Sequence, residues 1–468
     1  MTPGQKDFLF LPLGGCGEIG MNLNLFGHGG QWLMVDCGIT FEKDDANLGG
    51  GNRVEMPDPI FISNRSDALV GMIATHAHED HIGAIAHLWP QLQCPIYTTP
   101  FTRNVLLRKL RQKGIDAPIV SVQEGETVTL GGFKVTWLPI THSTVETNAL
   151  LIETSVGRAL HTADWKIDSA PIVGRAFEPD IYRRLGHNRI DAIVCDSTNA
   201  NQAGHSTSES ELFEGLLAAV KGSTGRVVVG CFSSNVARLQ TLGHVAEVSG
   251  RYIGVIGRSI EAMVTNARMA GYLQEHFNLV DSFNLGYLLP NEVLAVATGS
   301  QGESRAALQR LAMDTHPDVT LAAGDHVIFS AKTIPGNEVE VGRLVAALES
   351  KGVEVTLSAN SSRPIHASGH PCREELQQMY DWVKPKIAIP VHGEAMHMQC
   401  NADIAKSCGV PIQLTGINGD VFDIVAGEKW KVRVPVGRLW LDDSKRHALL
   451  RKVESPPTHL DSYGTKAS

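Results

Sequence analysis

The chain has 468 residues, 43% of them hydrophobic and 19% charged, with a mean hydropathy close to zero. That balance excludes a disordered polyelectrolyte and a membrane-spanning bundle, and the length exceeds what one hydrophobic core organises, so two units or one unit carrying an insertion are expected. Lysine and arginine number 41 against 50 aspartates and glutamates, a net charge of −9, which rules out wholesale attraction to a polyanion and leaves that task to a local basic patch.

The opening MTPGQKDFLFLPLGG lacks the basic segment, apolar core and cleavage site of a secretory signal. No apolar run reaches the roughly 18 residues of a spanning helix, so a cytoplasmic protein without a membrane partner is expected. Gly15, Gly17 and Gly20 follow the run FLFLPL with G-x-G-x-x-G spacing, and Asp36 closes the next strand. A dinucleotide fingerprint needs a helix opening at the third glycine. Here MNLNLFGHGGQWLMVDCG alternates as a β-hairpin does, so the glycines read as a tight turn between strands.

Short runs rich in Val, Ile and Leu recur at 31–36, 71–75, 133–138, 159–162, 192–195, 226–230 and 386–391, between glycine-marked turns and amphipathic stretches. This is an α/β pattern. Asp36, His76, His142, Asp164, Asp196 and His392 stand at or just after the ends of such runs, and strand ends converge on one rim of a sheet. THAHEDHIGAI packs His76, His78, Asp80 and His81 within six residues, the ligand types that zinc and similar divalent ions take. Without a metal, so many polar groups after one strand are costly to bury.

FTRNVLLRKLRQKG then carries Arg103, Arg108, Lys109, Arg111 and Lys113, which reads equally as a polyanion-steering patch and as a solvated helix face. PITHS adds His142, LHTADW adds Asp164 and KIAIPVHGE adds His392. Each is weak alone, but together there are seven donors, five His and two Asp, too many for one tetrahedral ion and suited to two ions sharing a carboxylate. Metal lowers the pKa of water toward neutrality, so such a pair is built for hydrolysis.

The texture changes between 206 and 362, where helical stretches such as 208–221 and 338–350 dominate. The expected division is 1–205, an inserted unit at 206–362, a return to the first unit at 363–440, and a polar tail at 441–468. Eight scattered cysteines without a CxxC pair read as reduced, mostly buried small hydrophobes.

THAHEDHIG, the TH at 142, the AD at 164 and the strand-end Asp36 resemble the metallo-β-lactamase fold. CDSTNA with Asp196, HASGHP with His370 and PVHGE with His392 resemble the three β-CASP motifs of its nucleic-acid-processing members. LGGCGEIGMN, DSTNA, ATGSQGE and KTIPGNE closely resemble the ribonuclease J family, over a span from about Phe8 to about Leu439. The resemblance implies an αββα sandwich with an inserted α/β β-CASP domain. It implies two divalent ions per chain, zinc favoured and manganese the alternative, one held by His76, His78 and His142, the other by Asp80, His81 and His392, with Asp164 bridging.

As further implications of the resemblance, Asp80 would also orient the attacking water, and Asp196 would fix a ligand imidazole. His370 would approach the scissile phosphate to stabilise the oxyanion or assist the leaving group. Substrate contacts would come from Ser233, Ser234 and Asn235, from Ser300 and Gln301, from Ser330 and Lys332, and from Ser368 beside His370. The implied activity is hydrolysis of RNA, as 5′-3′ exonuclease and endonuclease, in rRNA processing and mRNA decay, on single-stranded RNA with 5′-monophosphorylated ends preferred.

The family's further small C-terminal domain finds no counterpart in the polar tail, which weakens the expectation of a homo-oligomer; an RNA-processing complex is the other partner expected. A hydrolase of a small thioester or lactone is the alternative, against which the inserted region and the trio Asp196, His370 and His392 argue. A non-enzymatic RNA-binding subunit would be expected to lack some of the seven donors. Histidine-held ions predict activity falling below about pH 6.

Overall fold

The computed structural model describes residues 1–43, 52–334, 337–442 and 449–452. Its first sheet has eight strands, in the order Glu428–Lys429, Phe422–Asp423, Leu9–Gly14, Leu23–His28, Gln31–Val35, Leu69–Ile73, Ile96–Thr98 and Ile119–Ser121. A second has seven, in the order Ile412–Gln413, Ile387–Val391, Ala192–Asp196, Arg158–His161, Asn148–Glu153, Phe133–Pro139 and Thr127–Leu130.

Period-two alternation along these strands decides what lies between the sheets and what lies outside them. Phe10, Phe26, Leu33, Val35 and Ile73 of the first sheet meet Phe133, Val135, Trp137, Val194 and Ile389 of the second in one core. Their neighbours Leu11, Leu25, Met34 and Met72 turn outward, under the helices Ile85–Leu92 and Pro100–Gln112. Leu138, Ile193, Cys195 and Ala388 turn outward on the other side, under Pro179–His187, Arg373–Val383 and Ala395–Ser407. The layers therefore run helix, sheet, sheet, helix, and each fully buried large side chain contributes about 2 kcal/mol by leaving water.

The insertion builds a separate five-stranded parallel sheet, ordered Tyr252–Ile256, Val293–Ala297, Val227–Gly230, His326–Phe329 and Glu354–Leu357. Runs such as VVVG and VLAVA are apolar at every position because helices cover both faces. Phe213–Lys221, Val236–Ser249 and Arg258–Met269 pack on one side, Ala307–Ala312 and Glu338–Glu349 on the other. The chain then returns to the sandwich, where Ile387–Val391 pairs parallel with Ala192–Asp196, the strand from which the insertion departed.

The turn at Gly15, Gly17 and Gly20 joins the antiparallel strands Leu9–Gly14 and Leu23–His28, with φ of +82°, +86° and +91°. No helix opens there. The expected polar tail from 441 needs correction: Arg438–Asp442 pairs with Asn52–Pro57 on one side and with Leu449–Lys452 on the other. Leu439 is buried in that arrangement, and the apolar run LWL with its aromatic ring is what suits it to a strand. The rest of the tail, 443–448 and 453–468, lies outside the described residues, as do 335 and 336 of the KTIPGNE stretch. Among the described residues no helix is long and apolar enough to cross a membrane.

Candidate metal centre

Strand ends deliver the donors to one rim. His76 and His78 lie in the turn after Leu69–Ile73, and Asp80 and His81 in the single helical turn Glu79–Ile82 that follows. His142 comes after Phe133–Pro139, Asp164 after Arg158–His161, Asp196 ends its strand, and His392 comes directly after Ile387–Val391. Among the described residues three groups capable of holding a cation result: His76, His78, His142 and Asp164 form the first, Asp80, His81, Asp164 and His392 the second, and Asp164, Asp196, His370 and His392 a third that shares Asp164 and His392 with the second.

In the first group His78 Nδ1 stands 3.2 Å from His76 Nε2 and 3.0 Å from His142 Nε2, and Asp164 Oδ2 lies 3.9 and 3.7 Å from those two nitrogens. A single ring N–H cannot satisfy two other imidazole nitrogens converging on it. A cation can, since ligands about 2 Å from a tetrahedral centre stand about 3.3 Å apart. In the second group His81 Nε2 is 3.2 Å from Asp164 Oδ2 and 3.6 Å from Asp80 Oδ2. His392 Nε2 is buried without a hydrogen bond, 3.2 Å from Asp80 Oδ2. An orphaned nitrogen facing a carboxylate is again a ligand's position, so both groups fit a divalent ion.

In His81, His142 and His76 the second nitrogen is held from outside, and in His392 Nδ1 lies 3.1 Å from Asp164 Oδ1 as well as beside Thr198. His81 Nδ1 lies 2.7 Å from Asp36 Oδ2, and His142 Nδ1 2.6 Å from the Gly369 carbonyl. His76 Nδ1 lies 3.0 Å from Thr75 Oγ1, whose hydroxyl donates to Asp36, and His392 Nδ1 3.1 Å from Thr198 Oγ1. Such partners fix both tautomer and ring plane. Asp36 at φ +64° and His392 at φ +52° occupy the left-handed region, which costs a non-glycine residue about 1 kcal/mol or more.

Two close approaches demand glycine: a Cβ on Gly38 would lie 1.7 Å from the Asp80 carbonyl oxygen, and one on Gly369 2.5 Å from His142 Cε1. The glycine turn belongs to the same support. The Gly15 carbonyl accepts from His392 N at 2.6 Å, and Asn22 donates from N and Nδ2 to the Asp80 carbonyl at 2.9 and 3.1 Å.

Charge divides the two groups. Burial, followed by the neighbouring imidazoles, holds His76 and His142 well below the usual histidine range, and burial takes His78 down to about 4. Burial also acts most strongly against charge on His81 and His392, but Asp164 together with the other neighbouring aspartates outweighs it and leaves both raised. Asp164 itself is held low, burial being overcome by His392 and then His81.

Asp196 faces two imidazoles, His370 and His392. Its Oδ2 lies 2.8 Å from His370 Nδ1, while Oδ1 takes Thr198 N and Oγ1 at 2.8 and 2.7 Å and stays 3.6 Å from His392 Nδ1. An aspartate at a strand end readily accepts from the residue two positions on, so its reach toward the ligand ring passes through Thr198. Asp36, at 2.7 Å from His81 Nδ1, is a second supporting carboxylate, which the sequence marked only by its place at a strand end. His370 is 21% exposed at its side chain, and burial against its charge is outweighed by Asp196 and then Asp164, leaving it raised.

The expected substrate residues separate into two classes. Ser233, Ser234 and Lys332 are at least partly exposed on loops of the inserted unit, and Ser368 Oγ accepts from Asn199 Nδ2 at 2.8 Å beside His370. Asn235 is buried, capping the helix Val236–Ser249 through Arg238 N and donating to Glu209 at 3.1 Å. Ser300 is buried, Gln301 holds the Lys332 carbonyl and Ile334 N, and Ser330 Oγ donates to the Ile365 carbonyl. These last hold the loops in place.

Three family models match the chain: a ribonuclease J β-CASP domain over residues 224–348, a β-lactamase superfamily domain over 31–229, and a Zn-dependent metallo-hydrolase RNA specificity domain over 359–414. Ribonuclease J of Sinorhizobium meliloti is 39% identical over 445 residues, covering 94% of this chain and 78% of the relative. Ribonuclease J of Mycobacterium tuberculosis is 37% identical over 435 residues, 92% of this chain and 77% of the relative. A crystal structure of a protein of unknown function from Enterococcus faecalis V583 superposes with a TM-score of 0.61 at 14% identity, over 89% of this chain and 100% of that one, a likeness of fold alone.

Proposed function

The chain belongs to the ribonuclease J family and is a metal-dependent ribonuclease, and from that premise we propose that it cleaves single-stranded RNA both internally and stepwise from a 5′-monophosphorylated end. His76, His78 and His142 would hold one divalent ion and Asp80, His81 and His392 the other, with Asp164 shared. Imidazole-rich ligation favours zinc, and the mixed second set also suits manganese. Ions so held supply an acidified water near neutral pH and positive charge against the phosphoryl oxygens.

The protein's own groups do the positioning. Asp36, Thr75, Thr198 and the Gly369 carbonyl keep the ligand rings aimed at the rim. Asp80 reaches that rim with a partly exposed carboxylate, which suits it to orient a water as well. His370 engages Asp196 through Nδ1, which leaves Nε2 for substrate. Beside two carboxylates that favour its charged form, Nε2 can carry the proton that a departing 3′ oxygen needs. Ser233, Ser234, Lys332 and Ser368 are the groups we assign to phosphate oxygens, while Asn235, Ser300, Gln301 and Ser330 shape the loops that present them. We assign the inserted unit to 206–362, supported by the five-stranded sheet that lies wholly within that span, and the site of action to the cytoplasm.

The convergence of six donors from both sheets on the seventh, Asp164, carries this reading. Its test is turnover of RNA bearing 5′-monophosphate, 5′-triphosphate or 5′-hydroxyl ends by metal-loaded protein, with the monophosphate form expected to be degraded fastest. Intact RNA alongside rapid thioester hydrolysis would put the small-substrate alternative in its place. Asp80→Ala should abolish cleavage and retain RNA binding; a wild-type chain that binds RNA without cutting it, and whose function Asp80→Ala leaves untouched, would speak for a binding subunit.

A further inference from the structure

Two cavities meet behind the metal centre. The first, of about 340 Å³, includes His142, Thr144 and Glu146 in its lining. The second, of about 500 Å³, opens between the segment 172–174 of the sandwich and the inserted unit. Val173, Gly174 and Tyr272 line both, so the two cavities adjoin along a shared wall. Tyr272 is fixed in that wall because its hydroxyl donates to Glu146 Oε1 at 3.2 Å, while Glu146 Oε2 accepts from Phe101 N at 2.8 Å.

Flat rings line the second cavity. Phe213 stacks on His244 with centroids 4.6 Å apart and planes 26° from parallel, and His244 stacks on His276 at 5.0 Å and 30°. His276, at the end of the array, is 47% exposed at its side chain, and its Nδ1 lies 2.5 Å from Glu247 Oε2. Its segment sits close on the helix Val236–Ser249, since a Cβ on Gly243 would stand 2.2 Å from the His276 carbonyl oxygen. Ile172 and Val173 add apolar lining. A held row of planar rings beside an apolar wall is suited to a nucleobase, because every base has a π face and stacking on such rings needs no sequence. The volume accommodates a base with its ribose.

We propose that this cavity is a nucleobase-binding subsite, in which a base stacks on the Phe213–His244–His276 array; it rests on the ribonuclease reading only for the supply of nucleotides. The base can arrive on an RNA segment or on a free nucleoside monophosphate, and the chemistry of recognition is the same. Binding of adenosine 5′-monophosphate, of ribose 5-phosphate and of a hydrolysis-resistant single-stranded RNA would be measured on the full chain and on His244→Ala and His276→Asn. Asparagine is chosen because position 276 has φ +54°, a conformation it tolerates.

With thermal midpoints unchanged, loss of one stacking ring should weaken adenosine 5′-monophosphate about tenfold and leave ribose 5-phosphate unaffected. That outcome identifies a free nucleotide as the occupant; the same loss for the RNA alone identifies a strand segment. Wild-type affinity of both variants for the nucleotide and the RNA, or an equal loss for ribose 5-phosphate, would overturn the proposal. Failure of the metal-loaded chain to cut RNA would sink the ribonuclease reading instead, and the nucleotide titration, which needs no turnover, would still decide the subsite.

Discussion

Asp36 has no exposed surface, a left-handed backbone, and contacts to Thr75 N, Thr75 Oγ1 and His81 Nδ1. Replacing it by asparagine keeps the backbone tolerable and removes the charge that steadies His81. Asp36→Asn should therefore weaken metal binding about 10- to 100-fold, as loss of a carboxylate behind a ligand histidine generally does. Chelator competition reads this directly, and unchanged affinity would show that His81 needs no such support. The two groups should also part company with pH. His78, down at about 4, takes up no proton until well below pH 6.5, and His76 and His142 are shifted the same way, so a cation among them meets no competitor near neutrality. His81 and His392 are raised, so protons contest the second group already at neutral pH and more strongly as pH falls. Dialysis from about pH 8 to about pH 5.5 should remove the ion at Asp80, His81 and His392 first and leave one per chain. Simultaneous loss of both, seen by elemental analysis, would contradict that order.

At the scale of elements, the helix Val236–Ser249 ties the inserted unit to the motif loop before His370. Arg238, 1% exposed, pairs with Glu209 through Nε and Nη2 at 3.1 Å each and donates from Nη1 to the Ser330 and Ile365 carbonyls. Arg238→Met strands the buried Glu209 charge and should cost about 3–5 kcal/mol in urea unfolding, with most of it recovered by adding Glu209→Leu. A loss confined to surface-pair size, about 0.5 kcal/mol, would mean that Asn235 alone satisfies Glu209. Such ties mark the boundary of what a sequence discloses. The strands Gln31–Val35, Phe133–Pro139 and Ile387–Val391 were legible because their residues answer to two cores or to full burial, and the rim histidines because they end those strands. The Gly369 carbonyl behind His142, 227 positions away, and Asp36 behind His81 were not, since a carbonyl has no residue type and a partner across the fold leaves no spacing. Asn235 and Ser330 look like loop donors in sequence, and only packing shows their donors and acceptors already engaged. The glycine turn was legible as a turn, but its contacts with His392 and Asp80 arise from tertiary approach.

For the molecule as a whole, the rim is where the two sheets meet chemically. The first sheet supplies His76, His78, Asp80 and His81, the second His142, Asp164 and His392, so cations among them join layers that otherwise touch through the apolar core. The unfolded chain cannot gather donors spread from 76 to 392, so metal binds the native state alone and its affinity adds to folding. At a thousandfold excess over Kd this linkage is worth about 4 kcal/mol per ion, and at about 2–4 °C per kcal/mol for a unit of this size the sandwich should melt roughly 8–16 °C lower for each ion that chelation removes. The five-stranded sheet of the insertion contributes no donor, so a transition belonging to it should shift little. Calorimetry with and without chelator tests both halves: Asp164→Ala, which removes the carboxylate shared by the two groups, should shrink the shift of the sandwich transition. Identical melting of the wild-type chain in both conditions would mean that the converging imidazoles are a packing feature and that no cation staples the sheets.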